Sequence, residues 1–191
     1  GDIGFYSTII ENHDEPRGAS RLLSDEIRCD ASKKALAMVY FLRRGLPFIY
    51  QGQELGMENM TYASIDEVDD VSSRAEYAES IRVGISPKEA MKAVNQYSRD
   101  NARTPMQWDS STNSGFSTAD SDSLYIMQDP DSERPTVQKQ IKDTDSIYNE
   151  LKRQIAVRKS VEALQEEALC DVQEISSGEN TVLAVYYHKE I

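Results

Sequence analysis

The chain carries 33 acidic against 21 basic side chains in 191 residues, a formal net charge of −12 and a sequence pI near 4.6. Nucleic-acid binding needs a basic face, because neutralised phosphates supply most of its affinity, so nucleic acid is not expected as a partner. Mean hydropathy is −0.60, and the longest uncharged apolar runs, residues 35–42 and 46–50, fall far short of the roughly 20 residues that span a bilayer.

The opening Gly-Asp-Ile-Gly-Phe-Tyr-Ser has no charged or apolar leader region and no initiating Met, so the chain is expected to start inside a longer protein, without a signal peptide and in the cytoplasm. Cys29 and Cys170 lie far apart with two histidines, His13 and His188, and neither cysteine sits in a CxxC. That pattern offers neither a disulfide scaffold nor a zinc cluster and suits a reducing compartment. No metal or cofactor is expected.

In chain order, residues 3–10 mix β-branched and aromatic side chains and predict a strand, followed by the polar loop Glu11-Asn12-His13-Asp14-Glu15-Pro16-Arg17-Gly18. Apolar residues at Ala31, Ala35, Leu36, Met38, Val39 and Leu42 follow the 3.6-residue period. They predict a helix over 31–44, capped by Asp30 or Ser32 and closed by Arg43, Arg44 and Gly45. The run 46–50 reads as a strand buried on both faces, as in a parallel sheet. Ser64-x-x-Glu67 and Ser86-Pro87-x-Glu89 are capping-box patterns and predict two or three short polar helices. Residues 99–115 are irregular, and 117–135 form an acidic loop whose aspartates do not follow the spacing of a calcium-binding loop. Asp145 is expected to cap a helix carrying Ile147, Tyr148, Leu151 and Ile155 and ending near Arg158-Lys159. Residues 169–175 and 181–188 flank a hairpin signal, which makes His188 a surface residue of a strand.

Three segments carry chemistry: Asn12-His13-Asp14-Glu15-Pro16-Arg17, then Gly45-Leu46-Pro47-Phe48-Ile49-Tyr50-Gln51-Gly52-Gln53-Glu54-Leu55-Gly56-Met57, then Arg99-Asp100-Asn101-Ala102-Arg103-Thr104-Pro105-Met106-Gln107-Trp108. Asn-His-Asp alone is no more than a turn signature, since Asn and Asp bond to their own backbone. Together, in this order, the three segments resemble the back half of an α-amylase-type (family 13) glycoside hydrolase, in the oligo-1,6-glucosidase and glucan 1,6-α-glucosidase group.

The resemblance implies an α/β fold: the C-terminal portion of a (β/α)8 barrel. Residues 3–10 would be its seventh strand and 46–50 its eighth. Residues 1–160 would belong to the barrel, with a helical and loop insertion at about 58–135, and 161–191 would start a C-terminal β domain. Active sites in such barrels lie at the C-terminal ends of the strands, where His13 and Asp14 would stand. Asp14 matches the family's third catalytic carboxylate, which stabilises the transition state by gripping sugar hydroxyls, and His13 would bind the same glucose. Arg99 would approach the terminal glucose and block longer chains. Glu54 would face the neighbouring subsite or support it. Arg17 and Arg103 are expected to be structural, and Met106 and Trp108 to be core of the inserted loop.

A retaining glycosidase needs two further carboxylates about 5 Å apart, a nucleophile and a general acid. In the family these end strands four and five, ahead of residue 1, so the chain by itself is expected to be inactive. After Gly115-Phe116-Ser117-Thr118 the loop also departs from the family pattern, reading Asp-Ser-Asp-Ser-Leu-Tyr-Ile-Met-Gln-Asp from Asp120 to Asp129. The expected function is a share of an α-glucosidase acting on α-1,6-linked gluco-oligosaccharides. Trehalose-6-phosphate hydrolysis and sucrose isomerisation are alternatives within the family. A non-catalytic module, binding sugar or self-associating through open strand edges, is the alternative outside it.

Overall fold

The computed structural model describes residues 7–43, 45–164, 169–174 and 182–187. Strands β1 (Ser7–Thr8) and β2 (Leu46–Pro47) pair in parallel, Ser7 opposite Leu46 and Thr8 opposite Pro47, and Phe48 N extends the ladder by donating to Thr8 O at 3.1 Å. Between them run α1 (Gly18–Leu22) and α2 (Asp30–Phe41), giving the strand, helix, strand order read from the sequence. The start of the first expected strand, residues 3–6, and Arg44 at the expected helix end lie outside the described residues.

Burial of 46–50 on both faces is not observed. Leu46, Phe48 and Ile49 are 53%, 49% and 43% exposed, and Ile9 beside them is 49% exposed. A parallel strand is covered only when it has neighbours on both edges and helices on both faces, and the described residues supply one neighbour.

Helix α2 starts at Asp30, but neither Asp30 nor Ser32 is its cap. Cys29 holds that place, and the Ser32 hydroxyl reaches back to accept from Cys29 N at 2.9 Å while donating to Ile27 O at 2.7 Å. This is the returning half of a capping box, made here by a serine at the third helical position. The buried face of α2, Ala37, Tyr40 and Phe41, packs on Leu151 of α6 (Ile147–Ser160), with Ile10 and Ile155 at the margin. The Tyr40 and Phe41 rings meet edge to face at 4.9 Å. Side chains of this size contribute about 1.5–3 kcal/mol each when buried. Ser146, not Asp145, caps α6, accepting from Asn149 N at 3.2 Å. Asp145 is drawn aside by Lys34 Nζ at 2.9 Å. Near the end of α6, Arg158 donates to Phe41 O at 2.7 Å, to Arg43 O at 2.6 Å and to Gly45 O. It thereby satisfies Phe41 O, which the end of α2 leaves without an intrahelical partner, and two carbonyls of the link to β2.

Helices α3 (Val71–Arg82) and α4 (Pro87–Tyr97) pack on each other across a turn at Gly84. Val94 of α4 joins Met60, Tyr62 and Val68 in a second apolar cluster. Ser86 caps α4 as expected, accepting from Glu89 N at 3.3 Å, but the Glu89 carboxylate accepts from the Ser86 hydroxyl at 2.7 Å and not from its backbone, so only half of the box forms, whereas Ser64 and Glu67 bound only one 3-10 turn, Ile65–Glu67. Helix α5 (Val137–Lys142), capped by Thr136, was not read from the sequence, since six residues are too few to show a period. β3 (Leu169–Glu174) and β4 (Val182–Tyr187) form the expected antiparallel hairpin, Leu169 opposite Tyr187. Residues 175–181 and His188 lie outside the described residues.

The segments following β1 and β2 are joined to the 3-10 turn Arg99–Arg103 by one buried side chain. Arg17, 1% exposed, donates from Nε to Asn101 O at 3.2 Å and from Nη1 to Gln51 O at 2.7 Å. It pairs with Glu11 Oε2 at 3.4 Å and lies 5.5 Å from the centre of the Tyr50 ring. Burial pushes the Glu11 carboxyl above its ordinary range, against the opposing pull of Arg17. Gly52 makes room for this packing. At φ +89° a Cβ there would stand 2.4 Å from Met57 Sδ and 2.9 Å from Arg17 Nη1, so both the conformation and the space require glycine.

Replacing one partner of a buried ion pair leaves the other uncompensated, at a cost of about 3–5 kcal/mol. Arg17→Met is therefore expected to lower the urea-unfolding free energy by about that amount, with part of the loss recovered on adding Glu11→Gln; a loss below about 1 kcal/mol would contradict the tie. Arg158→Ala should cost about 2 kcal/mol. Arg82→Ala, which removes an exposed pair with Glu79, should leave the urea midpoint in place.

Candidate active site

Because β1 and β2 are parallel, the chain leaves both at the same end, and the loops that follow meet there. The first loop is set by Asn12, whose Oδ1 accepts from Asp14 N at 2.7 Å, a local Asx turn that places the next side chains outward. The Asp14 carboxylate is 54% exposed. Its Oδ2 lies 3.2 Å from His13 Nε2, and its Oδ1 accepts from Arg103 Nη2 at 3.3 Å and from Arg99 Nη1 at 3.4 Å. His13 is 71% exposed. Three of the expected site residues, Asp14, His13 and Arg99, thus come together at one open surface.

Arg103, expected to be structural, stands with them. Four residues beyond Arg99 on the Arg99–Arg103 turn, it donates from Nε to His13 O at 2.9 Å and lies 3.5 Å from the buried Asp100 Oδ1 through Nη1. Only the spacing of the two arginines in the third motif hinted at this. The other edge of Arg99 is turned inward: Nε and Nη2 donate to Asp70 Oδ1 at 3.1 and 2.5 Å. Asp70 precedes α3 and was not singled out in the sequence. Burial alone would raise its carboxyl, but the bonds from Arg99 and Ser73 outweigh that and hold it at about 2, against an ordinary 3.8.

Glu54 sits in the 3-10 turn Gln53–Leu55 and accepts from Gly52 N at 2.8 Å. None of its described bonds or ion pairs reaches Asp14, His13 or Arg99. Met106 is buried, against Leu55 and Met57, but Trp108 is 49% exposed and so is not core. Its backbone is fixed instead, donating from N to Ser114 O and accepting at O from Gln138 N, both at 2.9 Å. In the acidic loop, Tyr125 Oη donates to Asp69 Oδ2, Ile126 is buried and Met127 packs on the second apolar cluster. Residues 117–135 are otherwise irregular apart from the turn Ser121–Ser123.

The cluster offers a fixed carboxylate that can accept from hydroxyl groups, beside two guanidiniums and an imidazole that can bond to the same molecule. A neutral polyol such as a sugar ring matches this set of donors and acceptors.

Residues 2–167 match the family model described as α-amylase, catalytic domain. The chain is 47% identical over 117 residues to a probable oligo-1,6-glucosidase 3 of Bacillus subtilis, covering 61% of this chain and 21% of that one. It is 38% identical over 156 residues to a glucan 1,6-alpha-glucosidase of Streptococcus pneumoniae, covering 82% and 29%. With an oligo-1,6-glucosidase of Parageobacillus thermoglucosidasius it shares 36% identity over 157 residues, covering 82% and 27%. Among solved structures, a trehalulose synthase mutant in complex with Tris superposes with a TM-score of 0.85 at 31% identity, over 100% of this chain and 34% of its own. An isomaltulose synthase from Klebsiella superposes with a TM-score of 0.81 at 31% identity, over 93% and 31%. The chain spans about a fifth to a third of the length of these proteins. With its adjacent parallel strands, the helices beside them and a family match over most of its length, it belongs to the α-amylase family of glycoside hydrolases, as a C-terminal portion of that family's (β/α)8 catalytic barrel.

Proposed function

We propose that this chain is part of a retaining α-glucosidase that removes glucose from α-1,6-linked gluco-oligosaccharides, and that Asp14, His13 and Arg99 are its share of the subsite for the departing glucose. The observation that carries this reading is the Asp14 carboxylate, open at the strand end and bracketed by Arg99, Arg103 and His13. A carboxylate held in this way cannot swing to follow its ligand. Its bonds to ring hydroxyls strengthen as the ring flattens toward an oxocarbenium ion, which favours the transition state over the bound substrate. Arg99 presents Nη1 on the solvent side, where a planar donor can hold a terminal sugar and obstruct a longer one. Glu54, fixed on the Gly52 amide, would serve the adjoining subsite. Nucleophile and general acid would come from strands four and five of the same barrel.

Identity of 36–47% with proteins named as 1,6-glucosidases supports this substrate class. A second reading, sucrose isomerisation, draws on the trehalulose and isomaltulose synthase structures at 31% identity. Two placements complete the proposal. The exposed free thiol of Cys29 suits the cytoplasm, and a family match that stops at residue 167, two residues before β3, suits a separate β domain after the barrel.

Three outcomes are expected. The 191-residue chain should not turn over p-nitrophenyl α-glucoside above a heat-killed control, and turnover abolished by Asp14→Asn would contradict this. In the full-length parent, Asp14→Asn should lower kcat for isomaltose about 10²–10³-fold with a smaller change in KM, the size of effect seen when a transition-state contact is lost; a loss confined to KM would overturn its role. Arg99→Ala should raise KM and relax the preference for short chains. Conversion of sucrose to an isomeric disaccharide, without hydrolysis of isomaltose, would favour the second reading.

A further inference from the structure

We propose that Asp70 is the positioning residue of this site: it fixes the aim of Arg99 at Asp14 and thereby sets how strictly a single terminal glucose is accepted. The inference rests on the glucose-subsite reading for its consequence, but its geometry stands on contacts alone.

Both oxygens of Asp70 are in use, and the side chain is 2% exposed. Oδ1 takes Nε and Nη2 of Arg99. Oδ2 caps α3, accepting from Ser73 N at 3.0 Å and Ser73 Oγ at 2.7 Å. With Nη2 also donating to Ser72 Oγ at 3.2 Å, one whole edge of the planar guanidinium is spent on the start of α3, and the edge left for the site carries Nη1. A paired, two-donor contact with a buried carboxylate fixes the plane as well as the position of an arginine.

The start of α3 is fixed in return by the residue next to Arg99. Asp100 is fully buried, and its Oδ2 accepts from Asp69 N at 2.7 Å and Asp70 N at 2.8 Å. The bonds close a ring: Asp100 to the 69–70 backbone, Asp70 to Arg99, Arg99 to Asp100 through the chain. Arg99 therefore cannot move relative to Asp70 without breaking charge-assisted bonds in a buried place, where they are costly to lose. Asparagine is as good a helix cap as aspartate, but its amide has one acceptor where the carboxylate has two, and a donor in place of the other. Asp70→Asn can thus keep the cap or the arginine, and not both.

The test uses the full-length parent for kinetics and the 191-residue chain for spectroscopy. Asp70→Asn should raise KM for isomaltose about tenfold with kcat within about threefold, and should shift the kcat/KM ratio toward longer isomalto-oligosaccharides, as Arg99→Ala does. Adding Asp70→Asn to Arg99→Ala should bring no further change, because groups acting through one contact are not additive. Wild-type KM and chain-length preference in a folded Asp70→Asn enzyme, or additive effects in the double variant, would overturn the proposal. In the chain, the Arg99 Nε–H resonance should exchange slowly with solvent and lose that protection in Asp70→Asn; equal exchange in both would also overturn it. The stability of the chain gives a pH signature. A carboxyl held near 2 adds stability that is full above the unfolded value and is lost as pH falls from about 4 toward 2, and this slope should flatten in Asp70→Asn. If the wild-type parent hydrolyses no α-1,6-gluco-oligosaccharide, the subsite reading fails, while the exchange and pH measurements still decide whether Asp70 holds Arg99.

Discussion

A guanidinium buried away from water must find partners for its charge and its donors, and Arg17, which closes the first motif segment, finds them in the other two. Glu11 comes from just before the first segment, Gln51 O, the Tyr50 ring and Met57 Sδ from the second, and Asn101 O from the third. Segments separated by 34 and 84 residues in the chain are therefore tied together through one side chain, with Tyr50 Oη on Ala102 O and Arg103 Nε on His13 O adding to the tie. The constraint also explains Gly52, which clears the space that the guanidinium and Met57 Sδ fill.

The site is the outer side of that knot. Asp14 lies three residues before Arg17, and the turn carrying Arg99 and Arg103 contains Asn101, which Arg17 holds by its carbonyl. Asn101 passes the constraint on: its side chain accepts from Met60 N at 3.1 Å and donates to Asn95 O at 3.0 Å, tying the turn to the end of α4. The burial pattern follows this division. Arg17, Asp100 and Asn101 are closed off from solvent, while the faces of Asp14 and His13 remain open. A rigid, solvent-facing carboxylate on such a base meets the general requirement for a binding group that must not reorganise when its ligand changes charge.

Much of this was legible in the sequence because motif and period are local signals. The helix over α2, the cap at Ser86, the parallel order of β1 and β2 and the meeting of Asp14, His13 and Arg99 all follow from residues close together or from a motif resemblance. What escaped depends on distant partners. Asp145 has the chemistry of a cap but is taken by Lys34, 111 positions away, so Ser146 caps α6. Arg103 looked like a structural residue because nothing near it in sequence marks Asp14 as its partner. Asp70 lies outside every motif and acquires its role only where α3 meets the Arg99–Arg103 turn. Trp108 was expected in the core of the inserted loop, yet the backbone bonds of its turn, and not burial of the ring, hold it. Of the apolar run 46–50 only Leu46–Pro47 pairs as a strand, and burial of the run depends on neighbouring strands that the described residues do not include.

The most direct test of the central claim, that Asp14 is a glucose-binding carboxylate aimed by a buried framework, is a crystal structure of the full-length parent with glucose bound. The expected result is a sugar ring with hydroxyls on the Asp14 carboxylate, His13 and Arg99 Nη1 on the same ring, and the Asp70 to Arg99 pair intact beneath it. Glucose seated away from Asp14, or bound there with Arg99 parted from Asp70, would contradict it.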